Sequence, residues 1–178
     1  KFYYSQSDRY EMREKMRVSG NTLVFITVGT VIDRKGQLDF LKIVSKMGFN
    51  YQYWIIGNGP DVKAIKQYAK DNHIENNVRL LGYVEDIYIY KYHSAADFYV
   101  HGSTVEGQSL AEIEAYATGL RTIVNKLVSD TIVGDISDKN HYFVLDFNRP
   151  DVDSLDDWIK TTIGERTSFA QYDWSLIA

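Results

Sequence analysis

Glu106 and Glu114 stand eight residues apart in the stretch from His101 to Val124, with Ser109 and Glu112 between them. Apolar Phe98, Tyr99 and Val100 precede this stretch, small residues from Gly102 follow, and a helical segment closed by Gly119 completes it. The pattern predicts a strand, a turn and a helix. Ser109 followed three residues later by Glu112 reads as a capping box, in which the serine side chain satisfies an early helix amide and the glutamate reaches back. The amides around Gly107 to Leu110 and the positive end of the helix dipole then face outward at the strand's end, an arrangement that binds phosphate. Helix rise puts the two carboxylates roughly 10 Å apart along the axis, about the span from a sugar ring across a diphosphate to a ribose. Carboxylates repel phosphate but accept hydrogen bonds from hydroxyls. Taken alone the pair is weak, because glutamates on helices are usually solvated surface.

Other candidates carry less. Asp151 and Asp153 have the spacing of a metal-binding acidic pair, but they follow Pro150 and precede a helical pattern, so capping is the better reading. His73, His93, His101 and His141 show no metal-ligand spacing, and only His101 falls at the predicted mouth. Gly57-Asn58-Gly59-Pro60 lacks the third glycine of a dinucleotide fingerprint, which disfavours a nicotinamide enzyme. Ser103, Thr104 and Ser109 have no evident base partner and read as turn and cap residues. Trp54, Trp158 and Trp174 sit among aliphatics and read as core.

Composition sets the outer limits. A chain of 178 residues, 44% hydrophobic and 25% charged, suits one α/β domain with a real core. Without cysteine there is no disulfide framework, thiol nucleophile or thiolate metal site, in keeping with a cytoplasmic setting. A net charge of −4 argues against nucleic-acid binding, which needs a basic face. No apolar run approaches a membrane span; peripheral association with the inner face of a membrane stays open.

The elements that must position these residues follow from periodicity. Residues 1–20 read as a lead-in with a short helix capped at Ser7. Residues 22–29 and 51–57 are apolar runs with little alternation, the mark of strands covered on both faces. Residues 37–47 and 61–73 carry helical spacing, the second opened by Pro60 at a first helical position. A third strand spans 78–81. Residues 85–95 fit either period and are read as helix, since strand and helix alternate around them. Strands at 96–100, 121–125 and 142–146 follow, then helices at 154–163 and near the C-terminus. Residues 21–164 thus form a Rossmann-like parallel α/β sheet with helices on both faces, and 165–178 a C-terminal helix or tail. Gly29, Gly57, Gly82 and Gly102 each follow a strand, so their turns converge on the edge where ligands of such sheets bind.

The order Val28-Gly29, Arg34-Lys35-Gly36, Ile56-Gly57-Asn58-Gly59-Pro60, Leu81-Gly82-Tyr83-Val84, Ala96-Asp97 and Glu106 through Glu114-Ala115 resembles one known arrangement. It is similar to the C-terminal half of retaining glycosyltransferases of the fourth family, the glycogen-synthase and sucrose-synthase type. The resemblance implies one half of a two-domain GT-B enzyme, with the N-terminal acceptor domain absent from this chain. It implies that Glu106 touches donor-sugar hydroxyls near the anomeric carbon and that Glu114 holds the ribose. Lys35 would neutralise the diphosphate, amides of Gln108, Ser109 and Leu110 would hold phosphate oxygens, and the backbone at Tyr83 and Val84 would meet the base. Gly29 and Gly57 would let the chain approach the ligand. Catalytic work would fall to Glu106 and Lys35. The implied donor is a UDP- or GDP-linked sugar, the acceptor a glycan, lipid or protein, and no cofactor or metal is called for.

Two departures bear on this expectation. The family commonly has arginine after the first glycine, where this chain has Thr30, leaving Arg34 beside Lys35 as the replacement. The aromatic-glycine pair usual after the first glutamate is Gln108-Ser109. Two rivals follow: a catalytically silent nucleotide-sugar- or partner-binding module, and a nucleotide-sugar epimerase.

Overall fold

Strand β1 (Leu23–Val28) is buried almost throughout because helices cover both of its faces. In the computed structural model, which describes residues 2–132 and 136–163, β1 is central to a six-stranded sheet. The other strands are β2 (Tyr51–Ile56), β3 (Val78–Gly82), β4 (Phe98–His101), β5 (Arg121–Asn125) and β6 (Tyr142–Leu145), and every pairing is parallel. Their spatial order, β3-β2-β1-β4-β5-β6, reverses between β1 and β4. A crevice opens beyond the strand ends at such a reversal, because the connections on its two sides lead to opposite faces.

Alternation along the strands divides the core. Phe25, Tyr53, Ile55 and Val100 pack with helices α2 (Gln37–Val44), α3 (Val62–Asp71) and α6 (Val152–Thr162). Val24, Ile26, Trp54 and Tyr99 pack on the opposite face with α1 (Gln6–Lys15), α4 (Asp86–Ala95) and α5 (Leu110–Ala117). Phe25 lies 5.3 Å from Phe40 and 5.5 Å from Phe98, ring contacts that add about 0.5–1.5 kcal/mol each beyond area burial. Trp54 and Trp158 are core, whereas Trp174 and the helix expected after residue 164 lie outside the described residues.

Three expectations need correction. Helix α1 is capped by Ser5, whose hydroxyl accepts from the Asp8 amide, because Ser5 is extended while Ser7 already has helical backbone. Pro60 lies outside α3, which starts at Val62. Its turn is pinned to the loop after β1, where the Val31 carbonyl accepts from the Asp61 amide at 3.2 Å. Strand β4 begins at Phe98 rather than at Ala96, because Asp97 is engaged with β1: its amide donates to the Val24 carbonyl and its carboxylate accepts from the Val24 amide, both at 2.8 Å. Arg9 and Arg13 of α1 donate to the same carboxylate and to carbonyls at the end of α4, which anchors the opening segment to the sheet.

Candidate functional site

The loop after β1 and the loop after β4 meet at the reversal of strand order. Gly36, with φ of 68°, lies so near β4's end that a Cβ would stand 2.2 Å from the Gly102 carbonyl oxygen. Only glycine permits both that conformation and that approach. The Arg34 carbonyl accepts from the Thr104 amide at 2.8 Å, and Asn125 Nδ2 holds the Gly102 carbonyl at 3.1 Å. On the other side of β1, a Cβ on Gly57 would stand 2.0 Å from the Gly29 carbonyl, and the Gly57 amide donates to Gly82. The punctuating glycines therefore interlock along one edge.

Lys35, at the end of the 3-10 turn Asp33–Lys35, forms an ion pair with Glu106, and Ser103 Oγ donates to the same carboxylate oxygen at 3.1 Å. The lysine side chain is 21% exposed and the glutamate 16%, so solvent screens the pair only in part. Burial pushes the Glu106 carboxyl up, but the Lys35 ammonium and the Ser103 hydroxyl outweigh it and hold the group below its ordinary value. His101, 4% exposed, is pushed down to about 4 by burial, with Lys35 adding to the effect against Glu106, so its imidazole is neutral near pH 7.

Ser109 caps α5, its Oγ accepting from the Glu112 amide. The first amides of any helix lack partners within it, and here these include Ser109 and Leu110, whereas Gln108 precedes the cap. Glu112 is fully buried, and its carboxylate accepts from the Tyr142 hydroxyl at 3.2 Å. Glu114, further along α5, has its carboxyl pushed up to about 7 by burial and then by Asp86, the first residue of α4. A small recess of about 10 Å³ at the reversal is lined by Lys35, Gln37, Tyr99, His101, Ser103 and Ser109.

Several predicted residues sit otherwise. Arg34 is exposed and donates to the carbonyl of Val105, the residue before the lysine's partner, at 3.3 Å. The Thr30 carbonyl accepts from Gln37 Nε2 at 3.0 Å, with Thr30 itself exposed. Tyr83 is 76% exposed and Leu110 66%, while Val84 packs against the core on the α4 side. Asp151 is a helix cap, accepting from the Ser154 amide at 3.0 Å. Among the described residues no cluster of three or more metal-ligating side chains occurs. Ser103, read from sequence as a turn residue, bonds to Glu106, and Gln37 and Tyr99 line the recess without having been singled out. The signal for Ser103 was its three-residue offset from Glu106, the same offset that joins Ser109 to Glu112. A second groove, lined by Lys66, Ala69, Lys70, Glu75, Val78 and Leu80, lies along the β3 edge away from all of these.

Residues 8–167 match the family described as glycosyl transferases group 1. The chain belongs to that family. It is 25% identical over 124 residues to alpha-monoglucosyldiacylglycerol synthase of Acholeplasma laidlawii, covering 68% of this chain and 31% of that protein. HepE of Anabaena, solved in complex with UDP, superposes with a TM-score of 0.75 at 20% identity, over 90% of this chain and 45% of the other. The C-terminal domain of a group 1 family protein, LpcC of Francisella tularensis, superposes with a TM-score of 0.71 at 21% identity, over 92% of this chain and 86% of that domain. The fold is thus the Rossmann-like domain of GT-B family members, and the chain spans about a third of the length of the Acholeplasma relative. None of the described helices is long and apolar enough to cross a membrane.

Proposed function

We propose that this chain is the donor-binding half of a retaining glycosyltransferase, of the glycogen-synthase and sucrose-synthase type, that moves a sugar from a UDP- or GDP-linked donor to a glycan, lipid or protein. The observation that carries the reading is the Lys35–Glu106 ion pair at the mouth of α5, where the strand order reverses, with Glu114 further along the same helix. HepE, which shares the fold, is known in complexes with UDP and with UDP-glucose, which supports a nucleotide sugar at this edge. The name of the Acholeplasma relative supports a lipid among the candidate acceptors, and the proposal includes a cytoplasmic protein working at the inner membrane face.

In this reading the diphosphate lies between Lys35, supported by Arg34, and the amides of Gln108, Ser109 and Leu110. Gly29 and Gly57 admit the backbone to the ligand, Tyr83 and Val84 contact the base, and Glu114 accepts from the ribose hydroxyls. Glu106 meets the sugar near its anomeric carbon. As the bond to the diphosphate breaks, negative charge grows on the leaving phosphate and positive character on the sugar. A fixed cation and preoriented amides at the leaving group are then the main contribution of this half. The departing phosphate helps to deprotonate the acceptor, so neutral His101 is not needed as a base. The acceptor binds on a second domain.

Thr30 and the outward Arg34 favour one rival, a silent nucleotide-sugar-binding module, because half of the usual diphosphate clamp is then missing. Titration with UDP, GDP and ADP tests the shared pocket. Lys35→Ala and Glu114→Ala should each weaken the best ligand at least about tenfold, and unchanged curves for both would remove the pocket. Transfer or donor hydrolysis by a chain carrying both domains separates enzyme from module.

A further inference from the structure

We infer that Ser103 is a positioning residue for Glu106, keeping this carboxylate aimed at the donor sugar after the diphosphate has drawn Lys35 away. The inference rests on the donor-site reading above. Among the described residues, both hydrogen bonds to Glu106 end on Oε2, one from Lys35 Nζ and one from Ser103 Oγ. Without ligand the lysine restrains the carboxylate. A diphosphate carries more negative charge than one carboxylate and competes for the single ammonium, so the ion pair weakens when the site fills.

Ser103 has no such alternative. It is 2% exposed, and its neighbours on both sides are pinned, Gly102 through its carbonyl to Asn125 and Thr104 through its amide to the Arg34 carbonyl. Lysine hangs on a flexible stem with three rotatable donors, whereas a buried serine hydroxyl on a pinned turn stays where it is. The carboxylate therefore keeps one fixed partner on Oε2 while Oε1 turns to the ligand. A neutral serine suits this role because it orients the acid without competing for the phosphate.

The role predicts a penalty specific to the sugar. Ser103→Ala should weaken UDP-glucose roughly tenfold and UDP about twofold or less, the size expected for a hydrogen bond to a charged group. If the wild-type chain binds the guanosine pair instead, GDP and GDP-mannose serve as probes. In a Glu106→Ala background, which leaves the hydroxyl no acceptor, adding Ser103→Ala should cost little more, since the hydroxyl acts through the acid. Equal losses for diphosphate and diphosphate sugar, or full additivity with Glu106→Ala, would overturn the assignment. A wild-type chain that binds no nucleoside diphosphate would instead overturn the donor-site reading itself. A second measurement needs no ligand. In Lys35→Ala, which imitates the displaced lysine, carbon NMR titration of the Glu106 carboxyl should move upward when Ser103→Ala is added, and an unmoved midpoint would also refute the role.

Discussion

The two glutamates of the mouth share a side chain and almost nothing else. Glu106 sits on a loop against a cation and a buried hydroxyl, and its carboxyl is held below the ordinary value. Glu114 sits on α5, where burial and Asp86 push its carboxyl up to about 7. One of the two acids is therefore ionised in advance, whereas the other changes charge near neutrality. The contrast shows that the charge of an acid at this edge depends on which neighbours the fold supplies, since spacing along the chain treats the two alike.

The strongest way to break the contrast is to disturb the backbone that builds the Lys35–Glu106 end. Gly36→Ala places a methyl 2.2 Å from the Gly102 carbonyl at a left-handed φ, and should cost about 3 kcal/mol or more in urea unfolding. Gly107→Ala meets nothing within 4 Å and should stay within about 0.5 kcal/mol in the same assay. Next in size, Lys35→Ala should weaken nucleoside diphosphate binding about 10- to 100-fold by calorimetry. It should also raise the Glu106 carboxyl toward that of Glu114, because burial is then opposed mainly by the Ser103 hydroxyl and no longer by the ammonium.

The pH dependence sharpens the comparison, since the two acids carry opposite signs. Glu106, lowered in the fold, stabilises above the ordinary carboxylate range, and that contribution is lost as pH falls through its folded value. Glu114 is raised from 4.5 to about 7, so the folded chain holds its proton longer, and stability falls as pH rises across that window. Urea midpoints measured from pH 5 to 8 should decline less in Glu114→Gln than in wild type. Binding of the ribose part should strengthen over the same window as Glu114 gains charge, and Glu114→Gln should flatten that rise. A smaller effect, though above that of Gly107→Ala, belongs to Ser109→Ala, which removes the cap of α5 and should cost about 1 kcal/mol in urea unfolding.

Legibility followed the range of the interaction. The alternation of strands and helices was readable because burial on both sheet faces imposes it residue by residue, as in β1 and β2. The ambiguous segment 85–95 was readable only through its neighbours, and it forms α4. The capping serines divided the same way: Ser109 caps as its spacing suggests, whereas Ser5 displaces Ser7 because both offer the same side chain and only backbone conformation chooses. Glu112 receives the Ser109 cap at its amide, but its carboxylate, expected to reach back to the cap, lies buried under the Tyr142 hydroxyl and joins α5 to β6, a distance along the chain that local spacing cannot express.

By itself, the amino-acid order determined a parallel α/β sheet with glycine turns at one edge and a serine-capped helix after β4, because these depend on period, cap and turn chemistry within a few residues. Tertiary structure alone decided that Lys35 faces Glu106 while adjacent Arg34 turns to a backbone carbonyl. It also decided that Ser103 shares the lysine's oxygen, and that Glu106 and Glu114 differ in charge near neutral pH. The physical reason is that side-chain direction, desolvation and charge pairing are set by groups from β1, β4, α4 and α5 that meet only once the sheet has formed.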